Sequence, residues 1–362
     1  MPLSAWFAAG WSYAVERCDH VAIEEILQAL TETDGPSGEE EKVRSLIKSL
    51  VENQVDQIFE DALGNLFVVK RGGPEKIMVS AHMDEISVMI THIDDNGFLR
   101  IAPVGGISPR FLVGQRLRLS NGCSGTVYHE KLKDYKELDW PKLYLDIGLD
   151  NSESASGKVR IGDLACMDQP FRKLLSDRFM AKAFDDRAGC AVLVEVIGRL
   201  PADLPQETCF VFSVQEEVGL RGAKTAAYRY EPDYGLAVDV TLVGDTPKAP
   251  TMAVSLGKGP AIKVKDNSVL CHPRVRNHMI ETAEQNSIPY QLEVLTRGGT
   301  DAGAIHLSRE GVPSGVLSIP CRYVHTSSEV VDKADLENAT QLLEKLLLSR
   351  WPGAEVAKLD EQ

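Results

Sequence analysis

The 362-residue chain has no long hydrophobic run, no excess of basic residues, no CxxC pair, no internal repeat and no low-complexity tract. Each absence excludes something. A membrane-spanning helix needs about 20 consecutive apolar residues, and no segment supplies them. Against 39 basic residues stand 53 acidic ones, for a net charge of −14. That balance argues against nucleic acid or an anionic membrane as the main partner, because both select basic surfaces. The seven cysteines (Cys18, Cys123, Cys166, Cys190, Cys209, Cys271 and Cys321) are scattered and odd in number. A zinc ribbon or disulfide framework is therefore not expected, and a reducing, cytoplasmic compartment fits better. The opening stretch Met1–Val15 is mildly apolar, but no basic residue precedes it and Ser4 and Gly10 interrupt it. It makes a poor signal peptide.

What is present has the texture of a soluble α/β protein. Ile23, Ile26, Leu27 and Leu30 recur at helical spacing. GPSGEEE, Gly35 to Glu41, then breaks the chain, and Ser37 is placed to cap a second helix bearing Val43, Leu46, Ile47 and Leu50. Leu66–Lys70 and Ile77–Ala81 read as strands, the second apolar enough for burial on both faces. After residue 86 the long helical patterns stop. An Asp-Asn-Gly turn and the short runs RLRLS, GTVYH and KVRIGD predict β-structure, with a charged loop in KLKDYKELDWPKLYLDIG. Helices and apolar strands return after Asp177, with Cys190 and Cys209 as small core residues. The expected architecture is α/β, with a mostly parallel central sheet flanked by helices and a small β-rich inserted domain. Its parts are an N-terminal extension (1–22), an α/β domain (23–86 and 176–362) and the insert (87–175).

Five places deliver Asp, Glu or His at or just beyond an apolar strand or loop: VSAHMDEI, KAFDDRAG, SVQEEVG, LAVDVT and CRYVHTS. Taken singly, each has an ordinary explanation. A histidine after a strand is usually a satisfied polar residue, an Asp pair before a helix usually an N-cap, and Glu-Glu before Gly usually a solvated turn. Taken together they suggest convergence, because ligands gather at the carboxyl ends of strands in open α/β sheets. Carboxylates so close repel one another and do not all ionise unless cations lie among them. Imidazole with carboxylate oxygen suits zinc, cobalt or manganese better than calcium. Glu216 and Glu217 pose a particular question, since neighbours on a strand face opposite ways. They serve one site only if the chain bends there.

The ordered set His82-Met83-Asp84-Glu85, Ala183-Phe184-Asp185-Asp186-Arg187, Gln215-Glu216-Glu217-Val218-Gly219, Val238-Asp239 and Tyr323-Val324-His325 resembles the tetrahedral (TET-type) dinuclear metallo-aminopeptidases. That group includes glutamyl and deblocking aminopeptidases, some of them labelled endoglucanases. GPSGEE and GGTDAG (Gly298–Gly303) fit the likeness, which runs from about Ile23 to Leu348. The resemblance implies two divalent ions, zinc or cobalt before manganese. His82, Asp185 and Asp239 would hold one and Asp185, Glu217 and His325 the other, with Asp185 bridging. It implies Glu216 as general base, Asp84 as orienter of the His82 imidazole, a cis peptide bond at Asp185–Asp186, and Thr300 and Asp301 near the substrate. It further implies peptides with a free N-terminus as substrates, and dimers built through the insert that assemble into a tetrahedral dodecamer.

Two other functions fit the same residues. One is a binuclear hydrolase of N-acyl amino acids or other small amides, with the same centre and a different pocket. The other is a non-catalytic assembly protein, which loss of a ligand or of Glu216 would favour; none is lost. A glycosidase fits less well, because glycosidases normally work with a carboxylate pair and no metal.

Overall fold

The computed structural model describes residues 22–351, so the expected N-terminal extension lies outside the described residues but for Ala22. Four parallel strands form the centre of an 11-stranded sheet: Glu207–Ser213, Lys76–His82, Tyr234–Thr241 and Ser314–Arg322, in that spatial order. They are buried on both faces almost throughout, as their unbroken apolar runs require. Antiparallel strands extend the sheet on both sides, through Leu66–Lys70 and Gln57–Glu60 at one edge and Glu329–Asp332, Arg178–Ala181 and Arg172–Lys173 at the other.

Helices cover the sheet. Phe184–Arg199 runs almost entirely buried against it, and Ile23–Glu32 and Lys333–Leu348 pack over that helix. The Ile23–Glu32 helix buries Ile23, Ile26, Leu27 and Leu30, the stripe its periodicity predicts. The next helix, Glu41–Val51, buries Val43, Ile47 and Val51, while Leu46 and Leu50 are only half-buried. Ser37 does not cap it. The N-cap is Glu40, and the Ser37 hydroxyl donates to Asp84 Oδ2 at 2.6 Å.

Between Ser87 and Met167 the chain closes a six-stranded barrel, in the order Ser87–Ile93, Leu99–Val104, Leu143–Asp146, Ser124–His129, Arg116–Leu119 and Leu164–Met167. It has its own core of Val88, Ile90, Leu99, Leu117, Val127 and Leu145, separate from the sheet core. The run KVRIGD is a turn and not a strand; the closing strand is Leu164–Met167, just after it. Leu143–Asp146, inside the segment expected as a charged loop, pairs on both sides and completes the barrel. No helix among the described residues is long and apolar enough to cross a membrane.

An ion-pair chain ties the barrel to the sheet domain. Arg118, on a barrel strand, forks onto Asp34 with Nε–Oδ2 at 2.7 Å and Nη2–Oδ1 at 3.0 Å, and reaches Asp168 with Nη1 at 2.9 Å. Asp34 also lies 3.2 Å from the buried Lys182 ammonium, which sits 2.7 Å from both oxygens of Glu85. Burial works to raise the Asp34 pKa, but Arg118 and Lys182 outweigh it and hold the carboxyl below its usual range. A depressed folded pKa stabilises above the unfolded value, about 3.9 for Asp, and that stability is lost as pH falls through the folded pKa. Arg118→Ala is therefore expected to lose roughly 1–2 kcal/mol at neutral pH, a modest figure because the guanidinium is partly exposed. In urea titrations across pH, the gap to the parent protein should narrow in acid; a pH-independent gap would contradict the pairing.

Candidate metal centre

The chain visits Glu207–Ser213 on one side of Lys76–His82 and Tyr234–Thr241 on the other. Strand order reverses there, and such a reversal opens a crevice at the carboxyl ends of the strands. His82 ends the central strand, Asp239 lies near the end of its neighbour, and His325 follows the Ser314–Arg322 strand. Asp185 arrives from the segment leading into the long buried helix.

The six residues meet. His82 Nε2 lies 3.0 Å from Asp185 Oδ1, 3.8 Å from Glu216 Oε2 and 4.0 Å from Asp239 Oδ1. His325 Nε2 lies 3.2 Å from Asp185 Oδ2 and 3.2 Å from Glu217 Oε1. Asp185 thus gives one oxygen to each imidazole.

The FDD sequence divides its two aspartates between two jobs. Asp185 is not helical (φ −78°, ψ 103°), and its peptide bond to Asp186 is cis. Asp186 caps the helix, with Oδ1 accepting from Gly189 N at 2.9 Å and Oδ2 from His82 N at 3.3 Å. Asp186 also lies near His82 and Asp239 with oxygens close enough to share an ion. Because those oxygens already hold backbone amides, Asp185 is the better ligand. The ordinary N-cap explanation holds for Asp186, and Asp185 is left to face the two imidazoles.

The two glutamates are not on a strand. The strand ends at Ser213, and Gln215 turns the chain with a left-handed φ of +54°. The loop hangs from carboxylates. Glu40 Oε1 accepts from Gln215 N at 3.2 Å, and Asp84 accepts from Glu216 N at 2.9 Å and Glu217 N at 3.2 Å. The Asp84 carboxylate thus holds the glutamate loop. His82 Nδ1 lies 3.0 Å from the Asp84 main-chain oxygen and 3.4 Å from its carboxylate.

Two residues beyond those expected complete the frame. Glu329, fully buried, accepts from Asp185 N at 3.0 Å and His325 N at 2.8 Å, one with each oxygen. Gly106 O faces His325 Nδ1 at 2.7 Å. Glu329 follows His325 by four residues, and nothing in that spacing alone separates it from a surface acid. Thr300 and Asp301 do not reach the crevice. Both are buried, and Asp301 Oδ2 accepts from the hydroxyls of Ser80 and Ser213 beneath the strand ends. Gly298 and Gly299 line the cavity in their place.

Both imidazoles turn Nδ1 to a main-chain carbonyl, which can only accept, so Nδ1 carries a proton and Nε2 is the nitrogen that faces the carboxylates and would be free to hold an ion once its own proton is lost. Glu217 Oε1, although close to His325, is buried without a well-formed hydrogen bond. Burial, together with neighbouring carboxylates, raises the pKa of Asp239, Glu216 and Glu217. Burial opposes protonation of His325, yet Glu217 and Asp185 push its pKa up to about 12. These acids demand positive charge, and the Nε2 lone pairs with carboxylate oxygens are a donor set for divalent transition ions. A second acidic group, Asp34, Glu85 and Cys166, already encloses the Lys182 ammonium. The crevice opens into a cavity of about 590 Å³ with apolar walls from Phe111, Leu220, Val240, Leu242, Leu295 and Val324.

Residues 64–342 match the family model for M42 glutamyl aminopeptidases. The chain belongs to the M42 family of aminopeptidases. It is accordingly a peptidase, a hydrolase acting on peptide bonds. A putative aminopeptidase of Acetivibrio thermocellus is 52% identical over 320 residues, covering 88% of this chain and 96% of that protein. An aminopeptidase from the archaeon Desulfurococcus kamchatkensis superposes with a TM-score of 0.88 at 38% identity, covering 91% and 95% of the two chains. The TET1 peptidase of Pyrococcus horikoshii, which can assemble into a tetrahedron or a large octahedral shell, superposes with a TM-score of 0.82 at 35% identity, covering 91% and 100%.

Glu329→Gln keeps one acceptor oxygen and turns an amide donor toward the other backbone N–H. Metal affinity of the stripped protein, read by chelator competition, should fall about 10–100-fold. Unchanged affinity would show that Glu329 does not position the centre.

Proposed function

We propose that this M42 family member removes residues from the free N-terminus of peptides with two divalent ions, zinc or cobalt, at the crevice. The observation that carries this is Asp185, whose two carboxylate oxygens each face a different imidazole. One ion would lie among His82, Asp185 and Asp239, the other among Asp185, Glu217 and His325. Such a pair polarises a carbonyl and acidifies water.

The chain's own residues do the remaining work. Glu216 takes a proton from the attacking water and returns it to the leaving amine. It is placed for this, because its Oε2 lies 3.8 Å from His82 Nε2, beside the position proposed for the ions. Asp84 holds Glu216 and Glu217 by their amides, so the proton carrier and the ligand keep a fixed separation. The apolar cavity takes up part of the substrate and excludes water from the reacting bond.

We place residues 23–86 and 176–362 in the catalytic domain, together with the Arg172–Lys173 strand, which falls inside the expected insert of 87–175 but pairs in the catalytic sheet. The barrel, Ser87 to Met167, is the module through which copies pair, and dimers assemble into a tetrahedral dodecamer. The assembly of the TET1 relative supports this. Free thiols at all six described cysteines fit a cytoplasmic site of action.

Chelation should abolish release of N-terminal residues, and added cobalt or zinc should restore it; activity that survives complete metal removal would refute the mechanism. N-acetylated peptides should resist hydrolysis, and preference for them would favour the N-acyl amide alternative. Glu216→Gln should retain metal and lose at least ~10²-fold in kcat. Glu217→Gln should lose metal affinity, and equal metal loss in both variants would contradict the division between them.

A further inference from the structure

The barrel sends one loop back into the centre. After the Leu99–Val104 strand, Gly105 and Gly106 cross behind Glu217 and His325, and Ser108 and Phe111 continue as cavity wall. Both glycines are needed. Gly105 has φ +87°, and a Cβ there would lie 2.8 Å from Ile86 and 3.2 Å from Glu217 Cβ. A Cβ on Gly106 would lie 2.9 Å from Cε1 and Nδ1 of His325 and meets nothing else within 4 Å. Gly106 is also the residue whose carbonyl faces Nδ1 at 2.7 Å.

We infer that Gly106 is a positioning residue: its carbonyl sets the tautomer and aim of the His325 imidazole, and its missing side chain leaves room for the ring. The barrel thereby completes the centre of the sheet domain. His325 needs this help. Its own backbone is left-handed, with φ +64°, and its imidazole is about one-third exposed, so packing alone does not fix the ring. Glu329 fixes the backbone N–H and Gly106 fixes the ring, from two different folding units. His82 differs, because its carbonyl partner is Asp84 in the same short segment. One imidazole is thus oriented locally, and the other only when the barrel is seated.

This rests on His325 being a metal ligand, and the test separates the two ideas. The full-length protein is stripped of metal and titrated with Co²⁺ against a competing chelator, as parent, Gly106→Ala, His325→Ala and the double variant. Gly106→Ala should bind one equivalent like the parent and the other about 10–100-fold more weakly. His325→Ala should lose that same equivalent. Adding Gly106→Ala to it should change nothing further, because the ring the methyl would displace is gone. Parent-like binding of both equivalents by Gly106→Ala would overturn the inference, as would a further loss in the double variant. If His325→Ala itself keeps both equivalents, the ligand assignment fails first, and this inference with it. Should Gly106→Ala fail to fold, recovery of the fold in the double variant would place the clash at His325; failure of both would overturn it.

Discussion

The centre depends on carboxylates that hold the backbone. Asp84 accepts the amides of Glu216 and Glu217, Glu40 that of Gln215, and Glu329 those of Asp185 and His325. None of these amides belongs to a helix or strand ladder, and all lie where the chain has left regular structure. A buried N–H without a partner costs about 1–3 kcal/mol. The acids therefore stabilise loops that would otherwise be free to relax, and fix the side chains those loops carry.

The same arrangement resolves an apparent conflict in the charges. Many acids in one crevice repel, which favours cations or protons among them. Acids used as backbone acceptors are partly satisfied already, whereas Asp185 and Glu217 turn toward the imidazoles; Asp239 does both, its Oδ1 accepting from Val240 N at 2.7 Å and lying 4.0 Å from His82 Nε2. Two kinds of carboxylate result from one residue type, distinguished by what each oxygen meets. Arg187 does the converse for carbonyls. Fully buried, it donates to the main-chain oxygens of Leu30, Thr33 and Met83, tying the first helix to the segment after His82.

Much of this was legible in the residues. Apolar runs without alternation gave the buried parallel strands, the spacing from Ile23 to Leu30 gave the first helix, and strand-end acids and histidines pointed to one place. What was not legible depended on contacts between distant segments. KVRIGD alternates like a strand, yet Gly162 turns it with φ +97° and the ladder forms just afterwards. Ser37 has the chemistry of a cap, but Asp84 offers its hydroxyl a better partner across 47 positions. Thr300 and Asp301 have polar side chains suited to a substrate, but the fold turns Asp301 inward onto two serines. Glu329 and Gly106 carry no local signature, because each acts through a geometry that only the tertiary fold creates.

The cavity has walls from two bodies. Phe111 comes from the barrel segment, and Leu220, Leu242 and Leu295 from loops of the sheet domain, while the acids and imidazoles sit at the floor, on strand ends and in the segments that follow them. Part of the wall therefore adjoins the acids and imidazoles in sequence, as Val240 and Val324 do, and part, such as Phe111 and Leu295, comes from elsewhere in the chain. Substitution at Phe111, Leu242 or Leu295 can reshape the cavity without touching the acids or imidazoles. The size and shape of the cavity and the spacing of the charges at its floor are thus set by partly separate segments.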